Sequence, residues 1–128
     1  MGTTEELREL VGEWGSAFAG QDLDACVDLF SPDATLKFLF ATYQGRDAIR
    51  QWHADRFAAG ARIVSLDAVE ADGDVAVARV EATSKRLRFF KIDKVKGEIK
   101  ILAREGRFVE VRFSPRKGAY SHLNWQFQ

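Results

Sequence analysis

The chain is poor in the residues that reactive and extracellular proteins rely on. It has a single cysteine, Cys26, which excludes an internal disulfide and a thiolate cluster for a metal. The setting Leu23-Asp24-Ala25-Cys26-Val27 reads as helix, so a buried, inert thiol is expected rather than a nucleophile. The two histidines, His53 and His122, lie far apart with no carboxylate at ligand spacing, so no metal site is expected. Two prolines and ten glycines in 128 residues exclude a low-complexity chain. No apolar run approaches the roughly 18 residues of a membrane span. Gly45 and Gly60 are isolated punctuation, not a phosphate loop or dinucleotide fingerprint, and no cofactor is expected. Met1 to Glu13 is acidic with helical spacing and does not read as a secretory leader. These features predict one cytoplasmic domain, residues 1–128, large enough for a single hydrophobic core.

Net charge is also lacking, since 19 basic residues balance 19 acidic ones. The balance hides a segregation. Residues 1–84 carry 15 acids and 7 bases, and residues 85–128 carry 4 acids and 12 bases. An acidic helical layer against a basic sheet, within one subunit or across a dimer, explains this more simply than an anion-attracting surface. Lys85-Arg86-Leu87-Arg88-Phe89-Phe90-Lys91 mixes bases with aromatics, as some nucleic-acid binders do. A strand end with alternating solvated bases accounts for it without nucleic acid.

What is present is a change of period. Leu7, Leu10, Val11, Trp14 and Phe18 recur at three and four, which predicts a helix from Thr4 to Gly20. Asp22 caps a shorter helix bearing Cys26, Val27 and Phe30. Ser31-Pro32-Asp33 reads as a turn and Ala34 to Phe40 as a strand. A third helix, Arg46 to Phe57, turns Ile49, Trp52 and Phe57 inward and closes at Gly60. From Arg62 the period becomes two. Strands are expected over Arg62–Glu70, Asp74 to about Phe90, and Glu98–Phe113 with a bulge at Glu105-Gly106. Pro115 to Gly118 then turns the chain into a last strand, Ala119–Phe127. Helices first and strands after indicate an α+β fold. Its expected form is a cone-shaped, curved antiparallel sheet covered by three N-terminal helices, with a central pocket.

Gly20-Gln21-Asp22-Leu23-Asp24, Leu29-Phe30-Ser31-Pro32-Asp33-Ala34-Thr35, Gly45-Arg46-Asp47-Ala48-Ile49-Arg50 and the turn Arg116-Lys117-Gly118-Ala119-Tyr120 carry a resemblance. Over nearly its whole length the chain resembles the nuclear transport factor 2-like superfamily, in its SnoaL-like polyketide cyclase and ketosteroid isomerase branches. The resemblance implies the cone fold, and its motifs specify fold far better than function. It also lets catalytic positions be compared. Trp14 stands where the isomerases carry a Tyr that donates to an enolate oxygen. Phe38 stands where they carry the general base, and Val109 falls near their protonated Asp. Leu123 and Trp125 correspond to the His-x-Asp of the cyclase branch and the Asp of the limonene epoxide hydrolase branch. A one-residue slip would turn His122 and Asn124 inward instead, and an amide is no base.

The expected lining is therefore greasy. Trp14, Phe18, Phe30, Phe38 and Trp52 come from the first half. Val80 follows the small residues Ala76 and Ala78, which leave room for a ligand. Val109, Val111, Leu123, Trp125 and Phe127 come from the last strands. The same side chains could simply fill the core. His53, which stands where the isomerases carry a Tyr that supports the Tyr matched by Trp14, is the polar exception and the first candidate for acid–base work, and the resemblance implies that it accepts from, or lies beside, the Trp14 indole. Tyr43 is the second, as a gate or a donor to a carbonyl. Three functions are open. One is a binder of a hydrophobic small molecule. Another is an isomerase, cyclase or hydratase acting on a polyketide-, steroid- or terpenoid-like substrate through His53. The third is an interaction module, homodimeric through the outer sheet face around Phe108.

Overall fold

The computed structural model describes residues 4–122, leaving aside the side chains of residues 4, 68–72, 86, 93 and 116–122. The elements run α1 (Thr4–Ala19), α2 (Leu23–Asp28), β1 (Phe30–Phe38), β2 (Ala41–Gln44), α3 (Gly45–Ala58), β3 (Arg62–Asp72), β4 (Val75–Thr83), α4 (Lys85–Phe89), β5 (Ile92–Arg104) and β6 (Arg107–His122). The strands form one curved, unclosed sheet in the order β2-β1-β6-β5-β4-β3. All neighbours are antiparallel except β1 and β6, which run parallel. The helices cover one face, with α1 against β3, α3 against β1, and α2 touching α1 and α3.

Local chemistry sets the helix ends. The Asp22 carboxylate accepts from the Ala25 N–H at 3.1 Å and caps α2. At the end of α1 the Asp22 N–H reaches the Ala17 carbonyl at 2.9 Å, and the Gln21 N–H reaches Phe18 at 3.0 Å. Gln21, at φ 53°, takes the left-handed position rather than Gly20. Gly60, at φ 71°, does the same job after α3. Arg46 ties α3 to the sheet, since its Nε and Nη2 both donate to the Phe30 carbonyl oxygen, at 2.9 and 2.7 Å.

The second half departs from expectation in three places. A short helix, α4, stands where the long strand from Asp74 was expected to continue to about Phe90, and the Ser84 hydroxyl accepts the Leu87 N–H at its start. Glu105-Gly106 is not a bulge but the two-residue turn between β5 and β6, with Arg104 opposite Arg107. Both turn residues have positive φ, 55° and 76°, the geometry a twisted hairpin needs. Pro115 to Gly118 does not end a strand either. β6 continues to His122, and its register against β5 slips between Pro115 and Tyr120.

The core holds Leu7, Leu10, Val11, Trp14 and Phe18 of α1, packed with Ile49 and Trp52 of α3. Ala76, Ala78, Val80, Ile99, Ile101, Phe108 and Val111 meet them from the sheet. Among the described residues no helix is long and apolar enough to cross a membrane.

Candidate functional site

His53 is the one buried polar or charged side chain among the described residues. It sits on α3 inside a shell of rings. Trp52, Phe30, Trp14, Phe18 and Phe57 lie 4.9, 5.7, 6.1, 6.3 and 6.3 Å from its centroid. Both ring nitrogens are engaged. Trp14 Nε1–H donates to Nε2 at 3.0 Å, and the Ile49 carbonyl oxygen lies 2.8 Å from Nδ1. An indole N–H can only donate and a carbonyl oxygen can only accept, so His53 is the neutral Nδ1–H tautomer. Burial pushes its pKa down to about 4, the Ile49 hydrogen bond opposes that shift, and the Arg56 charge adds to it. A histidine so placed is neutral at physiological pH and has no lone pair to spare. Cys26 is also inert, since burial, and secondarily Asp22, pushes its thiol up to about 12.

The remaining expected lining divides. Phe38 and Trp52 pack together at 5.4 Å, and Trp52 stacks on Phe113 at 5.2 Å with an interplanar angle of 30°. Trp14, Phe30 and Val111 border an apolar cavity of about 10 Å³, together with Val11, Ile99, Ile101, Phe108 and Phe113. Val80 is buried in the adjoining core. Val109 does not line the cavity. It is half-buried at a register shift, between Phe108 opposite Ala103 and Glu110 opposite Leu102. That bulge turns Phe108 inward, where it packs on Phe30 at 5.1 Å, so Phe108 cannot serve the outer face. Once Glu105-Gly106 is taken as a tight turn, the alternation from buried Ala103 leads straight to Phe108, and the sequence signal was there to use. Tyr43 is half-buried on edge strand β2, opposite Leu36. Leu123, Trp125 and Phe127 lie outside the described residues.

The carboxylates that could have joined His53 point elsewhere. Asp67 is exposed opposite Arg79, and Glu110 meets Arg112 at 3.6 Å on the outer face. Among the described residues, no group of three or more His, Cys, Asp or Glu side chains could hold a metal ion.

Residues 11–115, most of the chain, match the SnoaL-like domain family. The chain belongs to that family. Solved structures share the SnoaL-like fold. A polyketide-cyclase candidate from Sinorhizobium meliloti is 25% identical, with a TM-score of 0.71 over 88% of this chain and 100% of that one. The epoxide hydrolase/cyclase-like enzyme SalBIII, of pyran ring formation in salinomycin, is 21% identical, with a TM-score of 0.78 over 92% and 97%. A de novo designed protein with a curved β-sheet is 17% identical, with a TM-score of 0.70 over 91% and 90%. That a designed scaffold shares the fold at a TM-score of 0.70 shows that the fold alone does not choose an activity. No protein of curated function matches the sequence.

Proposed function

We propose that this SnoaL-like domain encloses a small apolar molecule within its aromatic cone and performs no isomerase-type proton transfer. The observation that carries the proposal is the character of the interior. Every described residue bordering the cavity is apolar, and His53, the one buried polar side chain among the described residues, has both nitrogens occupied. The cavity, about 10 Å³, is the size of roughly one water molecule. A larger guest therefore requires the lining to open, and Phe113, half-buried at the cavity border, is the ring placed to move. A guest burying about 200 Å² of carbon gains on the order of 5 kcal/mol, against which that rearrangement is set.

Titration of the intact protein with indane, followed by tryptophan fluorescence, tests this reading. A saturable change and a concentration-dependent rise in Tm are expected. A linear, unsaturable response with unchanged Tm removes it. Proton transfer through His53 or Tyr43 has less support, because the imidazole is spent on Trp14 and Ile49.

Homodimerisation through the outer sheet face is a second reading. It is favoured by an apolar strip of Val75, Val77 and Leu102, with Val75 directly opposite Leu102. A mass that stays monomeric as concentration rises would count against it.

A further inference from the structure

The strand directions bring several chain ends together. β1, β4 and β6 finish, and β3 and β5 begin, at one end of the sheet, opposite the Glu105-Gly106 turn. Two apolar protrusions stand there. One is the hairpin tip Leu39-Phe40, since Phe38 pairs with Ala41 and leaves two residues in the turn. The other is α4 and the residue after it, with Phe89 and Phe90. The end of α3 links them. Arg56 lies over the Phe38 ring at 5.2 Å, and three residues on, the Ala59 carbonyl oxygen accepts the Lys85 N–H at 3.2 Å.

Phe40 is 104% exposed, Phe89 80%, Phe90 63% and Leu39 52%. Every exposed phenylalanine among the described residues is therefore at this end. A cluster of apolar side chains left in water marks an interaction surface. The backbone of the tip adds a second sign. A two-residue hairpin turn ordinarily takes Asn or Gly at a left-handed position, yet here Leu39 holds φ 56°. Stability alone would favour a small polar residue, so the apolar tip is kept against a conformational cost. The charge is one-sided as well. Residues 85–96 contain six bases and one acid, Asp93. Lys94 is paired with Glu81 at 2.7 Å, while Lys85, Arg88 and Lys91 are exposed around the two rings of α4.

We infer that this end of the cone docks on the surface of an anionic phospholipid bilayer. Leu39, Phe40, Phe89 and Phe90 enter the interfacial layer, and Lys85, Arg88 and Lys91 meet the lipid phosphates. A fluid surface receives two separate tips, whereas a protein partner would need a matching pocket for each. Single-stranded nucleic acid is served poorly. Phe89 and Phe90 stand edge to face at 85°, so they offer no parallel faces to successive bases, and Leu39 has no π face. Peripheral docking needs no spanning helix and does not depend on any guest in the cone.

The test is cosedimentation of the intact protein with vesicles. Vesicles of phosphatidylcholine and phosphatidylserine in equal parts are compared with vesicles of phosphatidylcholine alone. The anionic vesicles should bind about 10-fold more tightly or better, and the preference should vanish at about 1 M salt, where charges are screened within about 3 Å. Leu39→Asn with Phe40→Ser removes the apolar tip and relieves the turn. Its Tm should hold or rise while affinity for the anionic vesicles falls about 10-fold or more. Phe89→Ser with Phe90→Ser carries the same expectation for affinity if the tip variant folds poorly. Arg88→Glu with Lys91→Glu should abolish the preference for anionic vesicles. No binding to the anionic vesicles, equal binding to both kinds, or wild-type affinity in a folded tip variant overturns the proposal. So does an oligothymidine that binds more tightly than the anionic vesicles, which would assign this end to nucleic acid.

Discussion

Trp14 Nε1 donates to His53 Nε2 at 3.0 Å and joins α1 to α3 across 39 residues of sequence. The bond fixes the imidazole from one side while the Ile49 carbonyl fixes it from the other, so a side chain suited to moving protons is held as a neutral strut.

The pair should behave as a unit. Trp14→Phe leaves Nε2 buried without a donor and removes part of a packed ring, at a cost of about 2–4 kcal/mol. His53→Leu removes the acceptor and strands the indole N–H, again destabilising. The double variant should lose less than the sum, by more than about 0.5 kcal/mol. Urea unfolding of the four proteins measures this, and additive losses would show that the bond contributes nothing.

Stability should also depend on acid. The folded state holds the His53 pKa at about 4, against an ordinary 6.5. Protonation is therefore disfavoured in the folded state, and the full contribution is present above pH 6.5. It is lost as the pH falls toward and through 4, with a total of roughly 3 kcal/mol. Unfolding midpoints measured across this window should decline more steeply in the wild-type protein than in His53→Leu.

The bulge at Val109 separates two neighbours sharply. Phe108 is 2% exposed and packed on Phe30. Phe108→Ala should cost about 3–5 kcal/mol, as loss of a core ring does. Val109→Ala, at a half-buried position, should cost about 1 kcal/mol or less. Denaturant midpoints of the two variants would show the opposite order if Val109 were the inward residue.

The turn offers a gain. Glu105 occupies φ 55° without being glycine. Glu105→Asn should stabilise by about 0.5–1 kcal/mol, because asparagine tolerates the left-handed region better. Gly106→Ala, at φ 76°, should destabilise by about 1 kcal/mol. A loss of stability in Glu105→Asn would contradict the turn geometry.

The helices of the first half were readable because their signals are local, but Ser31-Pro32-Asp33, expected as a turn, lies within β1, and Phe30, expected on α2, begins that strand. Spacing of Leu7, Leu10, Val11, Trp14 and Phe18 decides the buried face of α1, and Asp22 caps α2 through its own side chain. The meeting of His53 with Trp14 was also legible, through the resemblance of both positions to a known pair. The second half turned on register, which is not local. One misplaced turn at Glu105-Gly106 carried Val109 inward and Phe108 outward, because each residue of slip reverses every side chain. The parallel pairing of β1 with β6 joins strands separated by most of the chain, and no spacing announces it. The buried indole N–H of Trp52, without an acceptor among the described residues, was invisible for another reason. A sequence shows that a donor exists, and only packing shows that no described residue meets it.

The place where an apolar guest sits can be read from nuclear Overhauser contacts between bound indane and the methyl groups of the intact protein. If the cone interior is the binding site, indane protons should contact the methyls of Val11, Ile99, Ile101 and Val111, which border the cavity. Contacts confined to the exposed rings of Phe40, Phe89 and Phe90, or no contacts at saturating indane, would contradict it.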